Sequence, residues 1–338
     1  MTTIREVPFT DERWQAFCAQ QSTRTLFQSP AWSEVIERTY GFSMCVLAAE
    51  ADGHISAGLP FAHIEDFRGP RRVALAFADN IEPLPASSWE DFEAWIAADA
   101  FPWSVRTLCA PTGRATSSRV AAQHHSIALP ASFDEAAAGF HYKHVQNLKQ
   151  AQKAGLTVRK IDSSEGIDIF YALHSLVRKQ KHGLVPQPRA FFDAIFERFF
   201  PHDGFVLIAE HEGRVVSAMF FLACGRTLYY KFSASALDAL LVRPNHFLLT
   251  KAIELAIELG FATIDLGISD TEGLIRFKER IGGVARDVHA AAYNPREKTA
   301  GVAAVEKAFG DLTAVLTDER APIEAAQRGG DILYRFFT

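Results

Sequence analysis

Two distant stretches of the chain repeat one pattern. VLAAEADGHISAGLPFA begins at Val46 and VLIAEHEGRVVSAMFFL begins at Val206. Val46, Leu47, Ala49, Glu50, Gly53 and Phe61 match Val206, Leu207, Ala209, Glu210, Gly213 and Phe221 without a gap. Each stretch reads as an apolar strand, a tight polar turn at the glycine, and a returning strand. Each follows a predicted helix that carries an aromatic and a glycine, Trp32 to Gly41 and Phe191 to Gly204. A repeated helix–hairpin unit implies two related α/β halves, and 338 residues suit two domains.

The second half shows more of its plan. Arg226 to Ala234 alternates as a strand, with Leu228, Tyr230 and Phe232 on one face and Tyr229, Lys231 and Ser233 on the other. Phe247 to Leu259 has helical spacing: Leu249, Ala252, Ile253 and Ala256 oppose Lys251, Glu254 and Glu258, and Gly260 ends the helix. Thr263 to Leu266 is a short buried strand that runs into Gly267. A brief helix follows, with capping-box spacing between Ser269 and Glu272. Leu274, Phe277 and Ile281 fall on one face of it, with Lys278 to the side. A last strand is expected near Val284 to Tyr293, and Gly301 to Thr338 reads as mostly helical. Hairpin, strand, helix, strand, helix, strand is the order of a GNAT acyltransferase core.

Composition narrows the function classes. Residues are 48% hydrophobic, enough for substantial cores, and the net charge of −5 argues against a generally basic nucleic-acid protein while leaving room for a local basic groove. Cys18, Cys45, Cys109 and Cys224 are isolated, so neither a zinc site nor a disulfide framework is expected, and a reducing compartment is. The first residues carry no apolar core or small-residue cleavage site, and the longest apolar run, Val215 to Cys224, is too short to span a bilayer. The expectation is a soluble cytoplasmic protein. No Gly-x-Ser-x-Gly elbow or Walker loop is present, and the histidines lack partners at metal-ligand spacing.

Two basic stretches stand out against this acidic background. Phe140 to Lys160 contains no acidic residue; Val145, Leu148 and Ala151 or Gln152 suggest its buried face, and Lys143, Lys149 and Lys153 lie elsewhere on the helix. Arg178, Lys179, Lys181 and His182 follow just downstream. Each reads either as a solvated helix face or as an anion-binding surface.

These segments, with FQSPAWSEVIERTYG, LVRKQKHGLVPQPRAFF and the run from Leu228 to Gly283, resemble the Fem-type superfamily over residues 25 to 295 or so. The most specific pieces are Arg243-Pro244-Asn245 before a helix, Asp265-Leu266-Gly267, and Phe277-Lys278 before Gly282. The resemblance implies tandem GNAT-like domains, each a mixed twisted sheet flanked by helices. It implies acyl transfer, most directly an aminoacyl group moved from aminoacyl-tRNA to a primary amine of a cell-envelope, polysaccharide or small-metabolite acceptor. It places Lys278 at the reacting centre, where a cation would stabilise an oxyanion, with Lys231 and Tyr230 on the neighbouring strand. Those two point to opposite faces and share a pocket only if the strand is bulged. Arg243 and Asn245 fall at the donor turn. Asp79 and Asn80 resemble the polar turn of an acceptor cleft in the first domain, or form an ordinary turn.

The donor is argued from one segment. GNAT enzymes hold the pyrophosphate of coenzyme A on a glycine-rich turn that opens a helix. The equivalent here, Val242 to Leu249, has no glycine, and Pro244 lacks an N–H. An aminoacyl-tRNA donor is therefore favoured, with an acyl-CoA-dependent N-acyltransferase as the alternative and a non-catalytic binding module as a further one. The organisation expected is a monomer without a tightly bound cofactor or metal. Its first domain spans 1–155 and ends in the basic junction helix, its second spans 156–300, and a helical segment over 301–338 packs on them.

Overall fold

The structure, a computed structural model, describes residues 3–74 and 76–338. The chain divides into two compact units. The first contains the residues up to His124, with Arg286–Ala308 and Arg335–Thr338. Its early elements are β1 (Thr3–Pro8), α1 (Glu12–Gln20), α2 (Pro30–Tyr40), β2 (Ser43–Ala51), β3 (His54–Ile64), β4 (Arg71–Ala74), α3 (Trp89–Ala98) and β5 (Trp103–Thr107). Strands β1 to β4 are successive antiparallel neighbours, and β4 runs parallel to β5. Helix α2 starts and stops where its residues dictate: the Ser29 side chain accepts from the Trp32 N–H, Pro30 stands in the first turn, and Gly41 takes the left-handed conformation. Trp14, Trp32, Phe61 and Phe92 are fully enclosed. The six-membered ring of Trp14 lies so close over Gly58 that a Cβ there would sit 2.3 Å from it.

Strand β6 (Ser117–Ala128) carries the chain into the second unit, which contains His125–Ala285 and Phe309–Tyr334. There follow α4 (Phe133–Ala138), α5 (Tyr142–Lys153), β7 (Thr157–Ile161), α6 (Ser164–His182), α7 (Arg189–Phe199), β8 (Gly204–His211), β9 (Arg214–Cys224), β10 (Thr227–Ser235), α8 (Pro244–Glu258), β11 (Thr263–Ser269) and α9 (Glu272–Glu279). Strands β7 to β10 are antiparallel neighbours, and β10 pairs parallel with β11. Both faces of this sheet are covered. One carries an aliphatic cluster that joins Leu207, Met219 and Leu228 to Leu248 and Ile253 of α8. Against the other, Phe170 of α6 and Phe191 and Phe192 of α7 meet Phe220 and Phe232 edge to face or tilted.

The repeated stretches are equivalent hairpins in three dimensions. Both shift register at the same place, between Ala49 and Glu50 and between Ala209 and Glu210. Both turn through two positive-φ residues, Asp52-Gly53 and Glu212-Gly213, the backbone demanded by a two-residue hairpin turn.

The division differs from a boundary at residue 155. Helix α5 lies in the second unit because its Ala151 is fully enclosed in the cluster under α8. The last strand, β12 (Val284–Tyr293), pairs antiparallel with β5 of the first unit. The segment after it forms α10 (Ala300–Thr317) and α11 (Ile323–Leu333) and is shared between the units. Among the described residues no helix is long and apolar enough to cross a membrane. Helix α11 packs through bare backbone. A Cβ on Gly330 would stand 2.2 Å from the carbonyl oxygen of Pro186, and one on Gly329 would stand 2.6 Å from Leu316. Gly330→Ala is therefore expected to destabilise the protein by roughly 1–3 kcal/mol or more, read as a lowered denaturant midpoint with an unchanged slope.

Candidate acyl-transfer site

Strands β10 and β11 pair only at their beginnings, from Thr227–Thr263 to Tyr229–Asp265. Beyond that rung β10 runs on to Ser235 and β11 to Ser269, but the ladder between them stops. Two devices coincide with the parting. On β10, register against β9 slips between Tyr230 and Phe232, so that Lys231 is the extra residue of a bulge. On β11, Gly267 turns through positive φ, its N–H held by the Asp265 carboxylate at 2.7 Å. The bulge corrects the simple alternation expected for β10. Leu228 and Tyr230 face the aliphatic cluster, whereas Phe232 packs among the rings on the other side. It is also the condition under which Lys231 and Tyr230 can serve one pocket.

Tyr230 is partly exposed, and burial of its phenol pushes the hydroxyl up to about 12 against the effect of a hydrogen bond with Ser233. It is therefore a neutral O–H at physiological pH. The Lys231 ammonium lies 5.3 Å from the Phe232 ring centroid.

Lys278 is placed differently from a lysine at the side of a surface helix. It is 4% exposed, and its ammonium donates to the carbonyl oxygens of Gly267 at 3.0 Å and Ile268 at 2.8 Å. Leu274, expected on the buried face of α9, is exposed, and Phe277 is only partly buried, its edge toward His246. The capping box is also replaced. Thr271 is the N-cap, without a side-chain bond, and Ser269 is buried in the strand. The reason is the end of β11: carbonyls that have lost a strand partner still need donors, and Lys278 supplies two.

The start of α8 is anchored from inside. Arg243 has positive φ, and Pro244 opens the helix three residues before the expected Phe247. Asn245 Oδ1 accepts from Ser217 at 3.1 Å and from Ser235 at 2.6 Å, pinning the helix to β9 and β10. The Arg243 guanidinium reaches Gln150 of α5 at 3.3 Å. Asn245 thus serves as an internal strut.

Sequence spacing did not find the polar chain between α5 and α8. The Asn147 amide lies 3.0 Å from Nε2 of His246, Nδ1 of His246 lies 2.9 Å from Nδ1 of His144, and Nε2 of His144 lies 2.9 Å from the Thr250 hydroxyl. Thr250 donates to the His246 carbonyl at 2.8 Å. All four bonds are satisfied when they run one way: Asn147 to His246 to His144 to Thr250. That direction requires both imidazoles to be neutral. Burial, joined for His246 by the charges of His144, Arg243 and Arg280, pulls both down to about 4. The expected buried face of α5 accordingly rotates. His144 and Ala151 are enclosed, Val145 and Leu148 are half-buried, and Gln152 is exposed.

Lys143, Lys149 and Lys153 are all exposed and share one arc of α5, on the side away from His144 and Ala151. The cluster on α6 divides. Lys181 and His182 are exposed, but Arg178 donates to the Val185 carbonyl and Lys179 is buried against that of Glu319. In the first unit Asn80 is buried and donates to the carboxylate of Glu82, which also accepts from the Leu108 N–H at 2.6 Å. Burial raises the Glu82 carboxyl, offset by these bonds and by His124 and Arg286. Asp79 adjoins this group half-buried, so the turn is a support for Glu82 that the sequence reading passed over.

Residues 138–279 match the acetyltransferase (GNAT) domain family. That span contains the parted strands, the bulge, the start of α8 and Lys278. FemX is similar in structure over 86% of this chain and 98% of its own, with a TM-score of 0.61 and 16% identity. The chain has a GNAT-like fold. The C-terminal domain of a putative lysylphosphatidylglycerol synthetase from Agrobacterium fabrum matches over 87% of this chain and 94% of its own, with a TM-score of 0.54 and 12% identity. A tandem GNAT protein from the clavulanic acid biosynthesis pathway matches over 88% and 100%, with a TM-score of 0.50 and 11% identity. None of the curated proteins matches by sequence. The match to the acetyltransferase (GNAT) domain supports an acyltransferase.

Two outcomes follow from the buried groups. Lys278→Met leaves the carbonyls of Gly267 and Ile268 without their donor, and is expected to cost about 1–3 kcal/mol of stability in chemical denaturation. The His144–His246 pair supports the fold fully above the ordinary histidine value of 6.5, and that support is lost as pH falls toward 4. Unfolding midpoints should fall over this window, and His246→Asn, which keeps a donor for His144, should fall less steeply.

Proposed function

We propose that the protein transfers an aminoacyl group from aminoacyl-tRNA to a primary amine, with the parted end of β10 and β11 as the reacting centre. The observation that carries the donor assignment is the exposed arc of Lys143, Lys149 and Lys153 on α5, a helix without a carboxylate that packs on the helix starting at the donor turn. Such an arc suits a polyanion. Lys181 and His182 form a second exposed basic pair at the end of α6. The start of α8 supports the same reading, because Pro244 offers no N–H and Asn245 is spent on Ser217 and Ser235.

In this reading the acceptor amine attacks the ester carbonyl, the oxyanion forms, and the ammonium proton passes to solvent. Collapse expels the ribose oxygen, which needs a proton. The Tyr230 hydroxyl, neutral because it is pushed up to about 12, stabilises the oxyanion as a hydrogen-bond donor, protonates the leaving oxygen and regains a proton from solvent. Lys278 acts as a positioning residue that holds the turning end of β11 through two carbonyls. The freed edges of β10 and β11 can bind an extended part of donor or acceptor by backbone hydrogen bonds.

Those edges also favour a second reading, transfer from an acyl-CoA, whose extended arm would suit the same gap. Radiolabelled aminoacyl-tRNA and acetyl-CoA offered in parallel with amine acceptors separate the two. Label is expected to transfer from tRNA, and transfer only from acetyl-CoA would overturn the donor assignment. Lys149→Gln with Lys153→Gln should weaken tRNA binding and flatten its salt dependence. Tyr230→Phe should lower turnover by about 10²–10³-fold with little change in donor affinity.

A further inference from the structure

Away from the acyl-transfer site, three strands of the first unit bring unlike ligand atoms together. Glu6 on β1, Cys45 on β2 and His63 on β3 share one face, as their register shows: Glu6 opposes Leu47, Cys45 opposes Phe61, and His63 opposes Ser43. One carboxylate oxygen, the thiol sulfur and one imidazole nitrogen all lie within 4.8 Å of one another. Nε2 of His63 is 2.6 Å from Oε1 of Glu6, while Arg72 donates to Oε2 of Glu6 at 2.9 Å. His63 also lines a cavity of about 480 Å³ with Phe42, Ser43, Glu65, Phe101 and Arg335.

We propose that Glu6, Cys45 and His63 form a binding site for a borderline-soft divalent cation of the zinc type, with the remaining coordination position open toward the cavity beside His63. The donor set carries the choice of ion. A thiolate, an imidazole and a carboxylate together suit zinc and cobalt, whereas calcium and magnesium take oxygen ligands alone. Arg72 orients the carboxylate in the way that outer partners of metal ligands do. The thiol fits as well. Burial and the neighbouring Glu6 keep it a thiol, and a cation between them would reverse that balance. Binding forms a metal–sulfur bond and releases the Cys45 proton to solvent. Ligation through Nε2 of His63 places the ring proton on Nδ1 and replaces the contact of Nε2 with Glu6. The ion would also tie edge strand β1 to β2 and β3.

The test is a cobalt titration of the full chain after chelator treatment. One equivalent is expected to bind with a dissociation constant of about 1 µM or tighter and to give a thiolate-to-cobalt charge-transfer band that zinc removes. Cys45→Ser should abolish the band. His63→Gln and Glu6→Gln, whose folding is checked by circular dichroism, should each weaken binding at least about tenfold. No thiolate band in the parent protein, a band unchanged in Cys45→Ser, or binding weaker than about 100 µM would overturn the site. If Cys45→Ser does not fold, unchanged cobalt affinity in both other variants would overturn it equally.

Discussion

Parallel strands that part must find partners for the backbone groups they expose. In the second unit that requirement falls where β10 and β11 separate after Tyr229 and Asp265. The carbonyls of Gly267 and Ile268 are answered by a buried lysine. The Gly267 N–H is answered by Asp265. Ser235, at the end of β10, is tied with Ser217 to the first turn of α8. The bulge at Lys231 gives β10 the local bend that a departing strand needs. These four details share one cause and coincide with the place where the ladder between the two strands ends. Binding sites on such a scaffold are held more firmly than sites on loops.

The polar chain between α5 and α8 works in the same economy. A core of leucine and isoleucine would hold the two helices at least as strongly. An ordered run of amide, two imidazoles and a hydroxyl adds direction, because it is complete in one arrangement of protons. It fixes the rotation of α5 about its own axis. That rotation decides that Lys143, Lys149 and Lys153 face solvent rather than the core.

Much of the plan could be read from the residues alone. The two hairpins were visible because a turn that needs positive φ selects glycine, and because apolar strands on both sides of it repeat. The short strand into Gly267 and the helix after it were legible for the same kind of local reason. The rest failed where partners are distant. Tyr230, Lys231 and Phe232 alternate like any strand, and only the neighbouring β9 shows that one residue is extra. Lys278 reads as surface by hydropathy, and its burial depends on carbonyls ten and eleven residues earlier. His144 and His246 stand 102 residues apart, so neither carries a local sign of the other. Glu82 was hidden in the same way, since the Leu108 N–H that holds it comes from beyond the next strand.

The path of the chain has a consequence for synthesis on the ribosome. Strand β5 is made early, yet its antiparallel neighbour β12 begins only at Val284, and the first unit also takes in Arg335–Thr338. An emerging chain therefore cannot finish its first unit first. Strands β1 to β5 must wait, with an unpaired margin at β5, until β12 has left the tunnel. Vectorial folding usually favours the segment made earliest. Here the unit begun earlier cannot close before the one made after it, and during that interval its exposed margin is the natural substrate for a chaperone.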